Sequence, residues 1–136
     1  MPRTAEDVEN YLLQLDRRFD NDGGTFIVHA AGTPVAIRVA GPIVALRVTI
    51  GPLPADLDKQ RKVLRRLLEF NATDLMHVSY GLDGDNIVIG AALELENLDL
   101  NELEAALSDV DLALARHVPE LIETSDRPPT SQNEAR

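Results

Sequence analysis

The chain has no cysteine and no tryptophan, and only 4% of its 136 residues are aromatic. Without thiols there are no disulfides, no thiolate zinc sites and no cysteine nucleophile. The scarcity of aromatics leaves few platforms on which bases of a single-stranded nucleic acid can stack. No apolar run approaches the ~18 residues needed to span a bilayer. Residues 1 to 20 carry Glu6, Asp7, Glu9, Asp16 and Asp20, a pattern unlike a signal peptide. No Gly-rich segment meets a Lys-Ser or Lys-Thr pair to cradle phosphate. No GxSxG presents a serine, and no HExxH holds a metal. The sequence therefore predicts a soluble, cytoplasmic protein that is not an enzyme and needs no cofactor.

The formal charge is −10, and it is unevenly placed. Residues 1 to 68 hold ten Lys/Arg and eight Asp/Glu, whereas residues 69 to 136 hold three and fifteen. The acidic half repels nucleic acid and anionic lipid, so neither is an expected partner. Paired carboxylates are as abundant as such a composition demands, and a solvated acidic face accounts for them. Asp83, Asp85 and Asn86 lack the ligand spacing of a calcium loop and read as a turn. His29, His77 and His117 have no second histidine at helical spacing and read as surface or boundary residues.

Apolar periodicity gives the element order. Thr4 and Asp7 resemble a capping box, and Val8, Tyr11, Leu12, Leu15 and Phe19 recur at helical spacing, which predicts a helix from about Ala5 to Arg18. Asn21-Asp22-Gly23-Gly24 reads as the turn after it. From Thr25 to Ile50 the period becomes two, which predicts three antiparallel strands over 25–31, 35–40 and 43–50. Phe26, Val28, Val35, Ile37, Val39, Val44, Leu46, Val48 and Ile50 then face the core. Ile27, His29, Ala36, Arg38, Ala40, Ala45, Arg47 and Thr49 take the opposite face.

A second helix is predicted from about Ala55 to Phe70, with Leu57, Leu64, Leu67 and Leu68 inward and Lys59, Arg61, Lys62, Arg65 and Arg66 outward. Asn71 is its expected C-terminal cap. Strands over 77–82 and 86–95 flank Asp83-Gly84-Asp85, a hairpin signal. Asp99 and Glu102 cap a last helix whose apolar stripe runs through Leu100, Leu103, Leu107, Val110, Leu114, Val118 and Leu121. The stripe has the length to cover one face of the sheet. The fold class is thus α+β, an antiparallel five-stranded sheet with helices in the order α-βββ-α-ββ-α. A single domain is expected over 1–123, followed by a disordered polar tail over 124–136.

The candidate partner-binding residues follow from this layout. Ile27, His29, Arg38 and Arg47 share a strand face whose Ala36, Ala40 and Ala45 leave room for another backbone. That face is either open or packed under one of the chain's own helices. Leu12, on the first helix, is expected beside an apolar groove. Leu112 lies ~120° around the last helix from Leu100 and is a candidate exposed contact.

Three segments carry a resemblance: Leu64 to Asn71 (LRRLLEFN), Tyr80-Gly81-Leu82-Asp83-Gly84 before an apolar strand, and Leu95-Glu96-Asn97-Leu98 before the last helix. With the element order, they resemble the type III secretion chaperones (CesT-like, or Tir-chaperone-like) and the related YbjN-like proteins over residues 4 to 122. The resemblance implies a small acidic homodimer that holds an extended segment of a partner protein. Its alternative, from the YbjN-like side, is a regulatory or structural homodimer that recognises a folded protein. The basic outer face of the second helix stands against a dimer through that helix, because two such faces repel.

Overall fold

The computed structural model describes residues 4 to 125, so most of the expected disordered tail lies outside the described residues. Helix α1 spans Ala5–Gln14 and begins with the expected box, the Asp7 carboxylate accepting from the Thr4 backbone N–H at 2.7 Å. It stops four residues before the expected end. Asp16 takes φ 57°, and the N–H groups of Asp16 and Arg17 turn back to the carbonyls of Leu13 and Leu12, both at 3.1 Å. This is a Schellman motif with aspartate in the left-handed position where glycine is usual.

The early stop frees Phe19–Asp22 to form β1, a strand not expected from the sequence. Gly23 and Gly24 both have positive φ, the requirement of a two-residue type I′ turn, and they pin β1 against β2 (Thr25–Ala30). Then β3 (Thr33–Ala40) and β4 (Ile43–Pro52) complete a four-stranded meander. Next come α2 (Leu57–Thr73), β5 (Ser79–Asp83) and β6 (Asn86–Glu94). The sheet has six strands, not five, all antiparallel, in the order β1-β2-β3-β4-β6-β5. Its edges are β1 and β5. The β5–β6 hairpin turns on Gly84 and Asp85, of which Gly84 alone has positive φ.

Helix α3 (Leu100–Leu112) starts at Asp99, whose carboxylate accepts from Glu102 N–H at 2.8 Å. It runs through a π-helical segment (Ala113–His117) into α4 (Val118–Ser125). Proline explains the widened turn. Pro119 has no N–H for the Ala115 carbonyl, and its ring would clash with that carbonyl in a regular helix. The Val118 N–H reaches the Ala113 carbonyl instead, an i to i−5 bond.

One core forms between the helices and one face of the sheet. Phe26, Val28, Val35, Ile37, Val44, Leu46 and Val48 enter it as the alternation requires, with Val39 and Ile50 only partly buried. From the last helix Leu103, Leu107, Val110 and Leu121 are buried as expected, joined by Ala106, Ala113 and His117; Leu114 and Val118 are half-buried. On α2 the buried residues are Val63, Leu67 and Phe70. Leu57 and Leu68, expected inward, are 70% and 69% exposed. The inward face follows the i, i+4, i+7 spacing of 63, 67 and 70, and both leucines lie off it.

Candidate functional site

Because every helix contributes to the core on one side, the other face of the sheet is open among the described residues. A single row crosses all six strands by direct pairing: Asp20, Ile27, Ala36, Arg47, Gly90 and Ser79. A neighbouring row runs Asp22, Thr25, Arg38, Ala45 and Ala92. Each arginine is flanked by small side chains, Arg47 by Ala36 and Gly90, Arg38 by Thr25 and Ala45. The result is a shallow hollow of ≈ 460 Å³ between them. A second hollow of ≈ 300 Å³ lies beside it, between Ile27, Pro34, Ala36 and Thr49, and the two share Ala36 and Arg47.

Ile27, His29, Arg38 and Arg47 therefore stand on one surface, as the alternation predicts. His29 Nε2 lies 3.1 Å from the Asp20 carboxylate. Arg47 Nη1 donates to Asp83 across the neighbouring strand at 3.1 Å. Among the described residues Arg38 has no acidic partner. Leu12 is not part of this surface: it is fully buried in the core. Leu112 is half-buried and packed against the core rather than free in solvent.

Two further features border the sheet edges. At β1, His29 N–H donates to the Arg18 carbonyl at 3.1 Å, so by alternation Asp20 and Asp22 also turn their backbone groups toward β2. The backbone groups of Phe19 and Asn21 look outward. At β5, Leu64, Leu67, Leu68, Tyr80, Gly81 and Leu82 line an apolar groove of ≈ 290 Å³ against α2. The basic residues of α2 are largely paired: Arg61 with Asp58 at 3.5 Å, Arg65 with Glu69 at 3.6 Å, and Arg66 with both Glu69 and Glu120.

A polar cluster not foreseen from the sequence ties α2 and β5 to the π segment. His117 is 2% exposed, a correction to its expected place at the surface or boundary. The Asp74 carboxylate, which can only accept, lies 2.8 Å from Nε2, and the Tyr80 hydroxyl lies 2.9 Å from Nδ1. The His117 hydrogen bond, helped by the Thr73 hydroxyl, holds Asp74 below the usual carboxylate range. Arg66 does the same for Glu120. Burial, reinforced by the charges of Asp74 and Glu120, pushes the Tyr80 phenol well above its ordinary value. Despite its likeness to a relay, the Asp74-His117-Tyr80 array thus ends on a phenol that keeps its proton and is closed from solvent, which suits structure and not nucleophilic attack. The signal that could have found His117 is its spacing, seven residues after Val110 and four before Leu121, which puts it on the buried stripe.

Among the described residues no three His, Asp or Glu side chains gather as a metal site, and no helix is long and apolar enough to cross a membrane.

This open-faced α+β sheet defines the class. The family described as CesT_Tir_1 matches residues 1–127, and the chain belongs to that family, the type III secretion chaperone group its sequence resembles. No curated protein sequence matches it. Among solved structures it is similar to a chain of the heterodimeric ExoU–SpcU complex from the type III secretion system of Pseudomonas aeruginosa. There the identity is 20% and the TM-score 0.67, with 82% of this chain and 95% of that one covered. It is also similar to the Yersinia pestis type III secretion chaperone SycH, solved in complex with a fragment of YscM2, at 15% identity and TM-score 0.59 over 87% and 99% of the two chains. YbjN of E. coli shares the fold at 10% identity and TM-score 0.55, over 85% and 96%.

Proposed function

We propose that this protein is a non-catalytic, cytoplasmic chaperone or adaptor that keeps a segment of a partner protein extended, and that it works as a homodimer. The observation that carries the reading is the bare sheet face, floored by Ala36, Ala45 and Gly90 and reached from a strand edge whose Phe19 and Asn21 backbone groups point outward. Backbone pairing along that edge supplies affinity that tolerates many sequences, and the face beside it supplies selectivity. Membership of the CesT_Tir_1 family supports the same reading, as do the complexes named for SpcU and SycH.

The groove between α2 and β5 is the candidate surface for the second copy. Leu68 and Leu82 are 69% and 48% exposed there. The objection that two basic faces repel loses most of its force, because Asp58, Glu69 and Glu120 neutralise the arginines of α2 within the chain. Lys59 and Lys62 alone keep unpaired charge on that helix among the described residues.

Co-purification from the native host, with mass spectrometry and limited proteolysis of the complex, tests the reading. The expected result is a partner with one unfolded stretch protected from protease. Recovery of no partner, with no stretch protected, defeats it. A partner bound only through a folded domain, with extended peptides ignored, supports the YbjN-like alternative instead.

A further inference from the structure

Resting on the reading of the open face as the holder of an extended segment, we propose that Arg38 and Arg47 select a segment with acidic side chains at its centre. The argument starts from register. Arg38 pairs with Ala45 and Arg47 with Ala36, so the two arginines are diagonal neighbours on adjacent strands of one face. Such neighbours have Cα atoms about 7–8 Å apart. Like charges carried on neighbouring strands oppose each other, and the fold relieves only one of them, through the Arg47–Asp83 pair. The chain carries 23 acidic residues against 13 basic ones, yet Arg38 has no carboxylate beside it among the described residues.

Arg47 is only lightly committed. Its one ion partner, Asp83, sits at the sheet's edge, and the two side chains are 58% and 66% exposed. An exposed pair of this kind contributes little to stability, so a partner's carboxylate can replace Asp83 at small cost. Between the arginines lies the ≈ 460 Å³ hollow over Ala36, Ala45 and Gly90. Apart from the arginines the hollow is lined by Thr25, Ala36, Ala45, Leu46, Gly90 and Ala91, and Arg47, once released from Asp83, can turn toward a carboxylate that Arg38 also holds. Guanidinium forks match carboxylate oxygens in geometry as well as charge.

The pattern also limits the occupant. Asp20 and Asp22 at one side and Asp83 at the other make the rim acidic while the centre is basic, so the complementary segment is acidic in its middle and not along its whole length. A uniformly charged polyanion such as nucleic acid meets those carboxylates and the field of the −10 chain. Six strands at ~4.8 Å span a width that about eight extended residues cross.

The test uses the full-length protein and fluorescein-labelled peptides of about that length. Each alternates alanine and valine around a central pair of glutamates, glutamines or lysines, and a short single-stranded oligonucleotide serves as a fourth probe. The glutamate peptide is expected to bind about fivefold to tenfold tighter than the glutamine peptide, the size of a modest charge-assisted contact. That preference should shrink as salt is raised. It should vanish in the R38Q/R47Q double variant, whose affinity for the glutamine peptide stays unchanged. Both positions are solvent-exposed, and an unaltered thermal melt confirms that the variant folds. Equal binding of the glutamate and glutamine peptides, or a preference that survives R38Q/R47Q, overturns the proposal while leaving the extended-segment reading intact. Binding of the oligonucleotide in preference to the glutamate peptide overturns it as well. Failure of all three peptides to bind overturns both.

Discussion

The imidazole of His117 lies flat on the ring of Phe70, centroid to centroid 3.6 Å and 11° from parallel. This contact joins the last turn of α2 to the π segment of the last helix. Around it Arg66 stands 4.3 Å from the centre of the Phe70 ring and pairs with Glu120, while Asp74 and Tyr80 occupy the two imidazole nitrogens. Replacing His117 by alanine removes the stack and strips the Tyr80 hydroxyl of its partner inside the protein. A loss of about 2–4 kcal/mol is expected in chemical denaturation, the range for a buried hydrogen-bonded group that also leaves a cavity. A loss under about 0.5 kcal/mol, as at an ordinary surface site, contradicts this account of the cluster.

Glu120 should make the protein's stability depend on acid. Its folded pKa lies below the ordinary 4.5 because Arg66 binds the carboxylate. A depressed carboxyl pKa adds stability above the unfolded value and loses it as pH falls through the folded one. The wild type should therefore exceed E120Q in stability at neutral pH, and the gap should close as pH falls below the ordinary 4.5 and through the lowered folded value. Denaturant midpoints of both proteins across that range measure it; a gap that widens toward acid contradicts the assignment.

Asn71 holds edge strand β5 by both ends of its amide, which accepts from Tyr80 N–H at 2.7 Å and donates to the Tyr80 carbonyl at 3.2 Å. With alanine there, two backbone groups lose partners. We expect a loss of about 1–2 kcal/mol and faster hydrogen exchange centred on Tyr80. Unchanged exchange at that amide shows that β5 is held by other contacts.

Leu68 offers a separate test of the proposed dimer. Because it is 69% exposed, L68E should leave the fold unaltered in thermal melts. If copies meet along α2 and β5, light scattering should fall from roughly twice 14.9 kDa for the wild type to the mass of one chain. A variant that scatters as the wild type does places any dimer elsewhere.

Much of the architecture was written in local patterns. The period-two alternation from Phe26 to Val48 predicts which side chains enter the core, and so places Ile27, His29, Arg38 and Arg47 together on the other face. Phe-Asp-Asn-Asp has turn composition, so local pattern does not predict strand β1; it exists because Asp16 ends α1 early and Gly23-Gly24 folds the chain back on β2. Leu57 and Leu68 were expected inside by residue type, but tertiary packing chose the stripe of Val63, Leu67 and Phe70. Asn71 was expected as a cap, and a partner strand nine residues on took its amide instead. His117 needed both long-range neighbours, Asp74 and Tyr80, before its burial made sense. Leu12 lay on the correct helix face, and that face is the one that packs inward.

The short two-residue connections of the β1–β4 meander have a consequence for synthesis. Contacts between neighbouring strands close small loops and form early, whereas Leu103, Leu107, Val110 and Leu121 reach the sheet from the far end of the chain. On the ribosome, the first four strands leave the exit tunnel well before the residues that will roof them. For that interval Val28, Val35, Ile37, Val44 and Leu46 present a broad apolar sheet to the surroundings. A nascent or truncated chain lacking the last helix is thus itself a sticky, half-covered fold, dependent on others until its final turns arrive.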